Sequence, residues 1–312
     1  MNNLTIRHYN PLLDLANLSA MLTEIESVDQ DGEETSEEYL LASLNWPNYH
    51  PDKDVWIVEM DGRLVGYALA LEQPSKRCTL YVVVHPSQRR KGIGSKLLEL
   101  VLERAQEVGS KNIMIYANEK NEASNLFLKQ HGLSAVGSSG AMKTNGTVFP
   151  AFEFPEGFTL EKYSDVNDTR ILLSALNQCY QDMWGHQHND NPSDEEIQSP
   201  NFLKYYDAEN ILLLFDPDDK VTGICSVKPE GKKEKTGSHS DLLDAPGILK
   251  EYRHLEYQRP MVLAGVKHLH QGHHKRPIVL EFWGDDEAAL NIYRSLGFET
   301  TYHYVAYHKE LE

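Results

Sequence analysis

One pattern runs through this chain twice, and it limits the fold more than any other feature. Apolar residues 55–60 and 63–69 flank Asp61-Gly62, a pair suited to the tight turn of a β-hairpin. Residues 211–215 and 220–225 flank Asp216-Pro217-Asp218-Asp219 in the same way, and Gly223 answers Gly66. Downstream, a strand-like run at 112–117 precedes Asn121-x-x-Ser124-x-x-Phe127-Leu128-x-x-x-Gly132-Leu133. Its counterpart at 278–282 precedes Asp286-x-x-Ala289-x-x-Ile292-Tyr293-x-x-x-Gly297-Phe298. The copies lie about one domain length apart, which indicates a duplicated domain and not a solenoid. Strands alternating with helices predict an α/β protein. With 312 residues, 40% of them hydrophobic, the chain can build two cores. We place the domains at 1–150 and 151–312.

Between hairpin and strand, the first copy carries Val82-Val83-Val84-His85-Pro86-Ser87-Gln88-Arg89-Arg90-Lys91-Gly92-Ile93-Gly94-Ser95. An apolar strand there meets a helix whose Leu97, Leu98, Val101, Ala105 and Val108 recur at helical spacing, with Gly109 suited to the C-cap. Glycines let backbone amides approach an anion, the helix start offers unpaired donors and a positive dipole end, and Arg89, Arg90 and Lys91 add charge. Such a turn suits a pyrophosphate. The spacing Arg89-x-x-Gly92-x-Gly94 matches neither the mononucleotide nor the dinucleotide glycine motif.

The turn and the segment at 121–133 together resemble the GNAT superfamily of acyl-CoA-dependent N-acyltransferases, whose Gln/Arg-x-x-Gly-x-Gly/Ala turn is followed by an Asn-x-x-Ala-x-x-Leu-Tyr-x-x-x-Gly-Phe segment. This resemblance implies two tandem GNAT-like domains, each a mixed central β-sheet flanked by helices, with acetyl-CoA as acyl donor and no metal. Val82 and Val84 would pair with the pantetheine as an added strand. Arg89, Arg90, Lys91, Gly92, Ile93, Gly94 and Ser95 would hold the pyrophosphate, and Asn121 would touch the pantetheine arm. The implied activity is acetyl transfer to a primary amine of a small molecule or peptide. A non-catalytic acyl-CoA-binding sensor or scaffold is the alternative.

In the second copy Glu256 and Gln258 stand where the two glycines should be. A carboxylate at that place repels pyrophosphate, and side chains obstruct the backbone approach. The second domain is therefore expected to have lost cofactor binding and to serve as structure or as part of the acceptor pocket. A fragment ending near Pro150 is accordingly expected to keep CoA affinity. This tandem layout is similar to that of mycothiol synthase-like acetyltransferases.

Catalytic residues are thinly marked. Leu128 stands where the family often has a thiol-protonating tyrosine. Tyr293 keeps that tyrosine in the second copy, where core packing is the expected role. Cys78 stands where some members carry a glutamate base, as a small apolar filler. The acid is Tyr81, Tyr116 or water, and Glu26 is a further catalytic candidate. Glu26, Asp29, Asp31, Glu33 and Glu34 form an acidic stretch that would attract a cationic amine, or simply a solvated loop.

The formal net charge of −17, with most of the acid excess in the second half, argues against nucleic acid or an anionic membrane as partner. No apolar run approaches the ~20 residues of a membrane span, and the start of the chain does not resemble a signal peptide, so the cytoplasm is expected. Cys78, Cys179 and Cys225 lack metal or redox spacing and are expected as thiols. His268, His270, His273 and His274 fit a helix end better than a metal site. His186-Gln187-His188, after Trp184-Gly185, is expected in a polar surface loop. Oligomeric state leaves no mark in the sequence.

Overall fold

The computed structural model describes residues 4–44, 49–72, 76–146, 148–181, 207–233, 239–271, 276–284 and 286–311. Two units share the chain: Met1–Val136 with Tyr304–Glu312, and Gly137–His303.

In the first unit β1 (Leu4–His8), β2 (Val55–Met60), β3 (Arg63–Glu72) and β4 (Arg77–Val84) pair antiparallel in order. The β2–β3 turn falls on Asp61 and Gly62, both at positive φ, which aspartate tolerates and glycine, lacking a Cβ, adopts freely. β5 (Asn112–Asn118) joins β4 in parallel, a pairing that requires a crossover, here the helix α4 (Ile93–Glu107). Leu97, Leu98, Val101 and Ala105 of α4 bury one face of the sheet against Cys78, Leu80, Ile113 and Ile115. On the other face α1 (Pro11–Asp29) and α2 (Glu37–Leu44) pack Leu18, Ile25 and Leu40 on Ile57 and Tyr67. A one-turn helix α3 (Pro51–Asp54) leads into β2, and α5 (Glu122–Gln130) follows β5.

The sixth strand of this sheet comes from the far end of the chain. Residues 304–310 of β13 (Glu299–Glu310) pair antiparallel with Asn112–Asn118, burying Ala306 and Tyr307.

The second unit repeats the order. β7 (Thr159–Lys162), β8 (Ile211–Phe215), β9 (Val221–Lys233) and β10 (His239–Asp244) pair antiparallel, and β12 (Ile278–Trp283) joins β10 in parallel. The closing strand, residues 139–144 of β6 (Ser134–Thr144), here precedes its partner β12 in sequence by most of a domain, whereas in the first unit it follows. A short β11 (Gly247–Ile248) continues beyond β10 against β9. α6 (Tyr163–Val166) and α7 (Thr169–Cys179) lie on one side, and α8 (Gln258–Leu269) and α9 (Glu287–Ser295) follow the first unit's plan. Among the described residues no helix is long and apolar enough to cross a membrane.

Candidate active site

The glycine turn has the backbone that an anion site needs. After β4 a single 3-10 turn at Pro86–Gln88 leads to Arg90 at φ 63° and Gly92 at φ 82°, which caps α4. A Cβ at Gly92 would meet nothing within 4 Å, so the glycine serves the left-handed backbone and not crowding. Ile93 is buried in the core and offers only its amide, whereas Arg90, Lys91 and Ser95 are exposed. Among the described residues no hydrogen bond engages the amides of residues 90–95, and the first helical bond runs from Lys96 N to Gly92 O. These are the orphan donors of a helix start, all at one place.

Beside the turn, one edge of β4 lies open. β4 pairs with β5 only from Arg77 to Leu80, yet it pairs with β3 all the way to Val84. His85 N–H donates to Val65 O on the β3 side (2.9 Å), so by two-residue alternation Val82 and Val84 turn their backbone groups toward the open edge. An extended chain of pantetheine dimensions could add there as a strand. The Val84 carbonyl also accepts Arg89 Nε at 2.9 Å. Arg89 is otherwise clamped by both oxygens of Asp29, so its guanidinium ties the end of α1 to the turn. Lys91 Nζ donates to Gln88 Oε1 (2.7 Å), and Ser95 Oγ meets His131 Nε2 at 3.1 Å. Asn121 Oδ1 caps α5 by accepting Ser124 N–H at 3.1 Å.

A cavity of about 160 Å³ opens on the α1–α2 side of the same strand. Leu22, Ile25, Leu40, Leu69 and Val83 form apolar walls, Tyr39, Tyr67 and Tyr81 add phenols, and Glu26, Asp29, Asp31, Glu33 and Glu34 supply the acid. Burial, then the charges of Asp29 and Glu26, push the Asp31 carboxyl up to about 6. Burial, with Asp31 and Glu26 nearby, likewise raises Glu33. Tyr304 of β13 donates its hydroxyl to the Asp31 carbonyl and reaches Glu33 Oε1 at 3.4 Å.

The three catalytic candidates fare differently. Tyr81 lines the cavity beside Tyr67, with ring centroids 5.7 Å apart, and burial raises its phenol well above the ordinary range, so it stays protonated. Glu26 spends its oxygens on the amides of Gly32 (3.0 Å) and Glu33 (3.3 Å), holding the acidic loop in shape. Tyr116 is exposed on β5 and does not line the cavity. Leu128 and Cys78 are buried in the α4-side core, and burial drives the Cys78 thiol up to about 12. Tyr67, Asn118 and Tyr304, which surround the acids, have no local sequence signal of function; Tyr304 lies 273 residues from Asp31.

The second unit keeps the backbone of the turn and fills it. Leu249 N–H donates to Thr222 O (2.9 Å) as His85 does to Val65, and Arg253 Nε donates to Ile248 O (3.0 Å) as Arg89 does to Val84. Glu256 takes the left-handed conformation of Gly92, at φ 58°. Gln258 Nε2 donates to Pro246 O (3.1 Å) and to the hydroxyl of the buried Tyr293 (2.7 Å). Pro246 matches Val82 in register and has no N–H to offer. His268 Nε2 contacts Asn210 Oδ1 at 3.0 Å, and His270 lies against Phe149. His273, His274, and the segment from Trp184 to His188 fall outside the described residues.

An open strand edge ending in a glycine turn, on this strand order, is the α/β arrangement that the resemblance to acyltransferases led one to expect. Residues 19–133 match the Acetyltransferase (GNAT) family. A mycothiol acetyltransferase of Paenarthrobacter aurescens (strain TC1) is 24% identical over 260 residues, covering 82% of this chain and 77% of the relative. Among solved structures, a GCN5-related N-acetyltransferase from Sphaerobacter thermophilus aligns with TM-score 0.79 at 20% identity, over 98% of this chain and 95% of the other. A tandem GNAT protein from the clavulanic acid biosynthesis pathway aligns with TM-score 0.70 at 16% identity, over 99% and 98%. Residues 19–133 are thus a GNAT acetyltransferase domain, and the chain as a whole shares its fold with tandem GNAT proteins.

Proposed function

We propose that the first unit binds one acetyl-CoA and transfers its acetyl group to the primary amine of a small cationic molecule. The observation that carries this reading is the unpaired edge of β4 at residues 81–84, which leads into the free amides of residues 90–95. Val82 and Val84 hold the pantetheine, Asn121 touches its arm, and Arg90 to Ser95 hold the pyrophosphate. Arg89 acts one step back, fixing the turn through Asp29 and the Val84 carbonyl. Tyr81, protonated beside the gap, donates a hydrogen bond to the developing thiolate. A carboxylate-rimmed cavity favours an ammonium and repels acceptors that carry their own carboxylate. The name of the relatives makes a mycothiol-type acceptor one to include. The second unit, with Gln258 bridging Pro246 and Tyr293, binds no CoA and keeps a structural role.

Titration calorimetry with acetyl-CoA, followed by a screen of amines, amino acids and aminoglycosides read by CoA thiol release, tests this. One CoA per chain and amine-dependent release are expected. Tight binding with no release from any amine would leave the sensor alternative standing in place of the enzyme.

A further inference from the structure

Asp31 stands where the two halves of the proposed reaction meet. β4 and β5 part after Leu80 and Ile115, and Asp31 lines the cavity with Tyr81 and Val83 from one side of that parting, while Asn118 of β5 lies beside its carboxylate from the other. Its Oδ1 is buried and, among the described residues, has no hydrogen-bond partner. Tyr67, 3% exposed, brings its phenol into the same cavity. Unpaired buried oxygens are costly unless something fills their place. The neighbouring acids are engaged elsewhere: Glu26 holds two backbone amides, Asp29 holds Arg89, Glu34 accepts the Ser36 amide (3.0 Å), and Glu33 meets the Tyr304 hydroxyl at 3.4 Å.

We infer that Asp31 is the general base, taking a proton through Oδ1 from the acceptor's ammonium as the amine nitrogen approaches the thioester. This rests on the acetyl-transfer reading above. The ammonium gives one proton to the carboxylate, and the freed nitrogen lone pair forms a C–N bond to the acetyl carbon. Collapse of the adduct breaks the C–S bond, and a second N–H proton passes to the departing thiolate, leaving amide, CoA thiol and a protonated Asp31 that returns its proton to solvent. A base must be ionised at working pH yet as basic as that allows. Glu26, Asp29 and Glu33 face Asp31 with negative charge, Arg89 opposes them, and Asn118, Tyr81 and Tyr304 complete its surroundings; the balance holds the carboxyl near 6. That suits a base near neutral pH.

The test compares the full-length protein with Asp31→Asn on two acceptors of one shape, ethylamine and the weakly basic 2,2,2-trifluoroethylamine, which needs no base. With ethylamine, kcat/KM of the variant should fall ~10²–10⁴-fold and its acidic limb near pH 6 should vanish. With trifluoroethylamine the variant should stay within about threefold of the parent, and acetyl-CoA affinity within about twofold. Asp31→Glu should recover part of the ethylamine rate. An equal loss on both amines would make Asp31 a merely structural residue, and no loss on either would also overturn the assignment while leaving acetyl transfer intact. A parent that acetylates no amine in a broad screen would overturn the acetyl-transfer reading and this one with it.

Discussion

A fragment ending at Pro150 looks, on sequence, like an intact cofactor-binding domain, but it lacks the strand that closes that domain's sheet. Residues 304–310 pair along the whole of β5, and Tyr307, 1% exposed, sits in the same core as Leu97, Val101 and Ile115. Its hydroxyl donates to Asn125 Oδ1 at 2.8 Å, and Asn125 Nδ2 in turn donates to the carbonyls of Asn118 (2.7 Å) and Asn121 (2.8 Å). That brace joins the end of β5 to the start of α5, beside the proposed pantetheine arm. Losing a buried aromatic costs about 3–5 kcal/mol and each ladder hydrogen bond about 1 kcal/mol. A whole domain is stable by only about 5–15 kcal/mol. Removing β13 therefore removes most of the stability of the first unit. Circular dichroism of the 1–150 fragment should show no cooperative melt, and calorimetry no acetyl-CoA binding. In the full chain, Tyr307→Ala should lower stability by about 3–5 kcal/mol while leaving some folded protein to bind CoA. A fragment that melts cooperatively and binds acetyl-CoA within about tenfold of the full chain (1.4 kcal/mol) would refute the reasoning.

Three further outcomes are expected. A Cβ at Gly94 would meet Phe127 at 3.6 Å and Val84 at 3.7 Å, ordinary contacts, so Gly94→Ala should fold normally; Gly94→Glu should abolish CoA binding by calorimetry at a stability cost within ~1–2 kcal/mol, because its carboxylate competes for the anion site. Salt should weaken a cationic acceptor: kcat/KM should fall between about 0.05 and 0.5 M NaCl as the acidic cavity is screened, and salt-independent kinetics would count against an electrostatic role. For Asp31, whose folded carboxyl is raised from 3.8 to about 6, the sign runs opposite to the usual carboxylate: its favourable contribution is full below pH 3.8 and is lost as pH rises through about 6. Asp31→Asn should thus stabilise the protein on the order of 1–2 kcal/mol at pH 7.5 and not at pH 4, read as the difference in denaturant midpoints.

What could be read without coordinates was local. Asp61-Gly62 between two apolar runs specifies a hairpin through its own backbone preferences, and Leu97, Leu98, Val101 and Ala105 specify one face of a helix. The turn at 89–95 was legible for the same reason, since glycine spacing and helix start are neighbours in sequence. The strand exchange was not. β13 follows α9 just as β6 follows α5, so each closing strand looks like the natural end of its own half, and only pairing across 134 to 198 residues shows otherwise. Asp31 was visible as one of five acids. Nothing local distinguished it, because its special position comes from Asn118, Tyr81 and Tyr304, three strands far apart in the chain.

The two copies separate what the fold requires of this turn from what a ligand requires. Both keep the hydrogen bond that carries the chain past the strand, at His85 and Leu249, and both keep an arginine whose Nε ties the turn to the last strand carbonyl, at Arg89 and Arg253. Those features therefore belong to the architecture. The left-handed residue is also common to both, and Glu256 shows that a side chain can occupy it at a modest cost in strain. What differs is the space the glycines leave and the free N–H at Val82, which Pro246 lacks. In the second unit Gln258 and Tyr293 satisfy each other across that space, so the site is closed by internal hydrogen bonds. In the first unit Leu128 replaces that tyrosine and Gly94 replaces that glutamine, so nothing from those two positions fills the gap, and the strand edge stays available to a ligand.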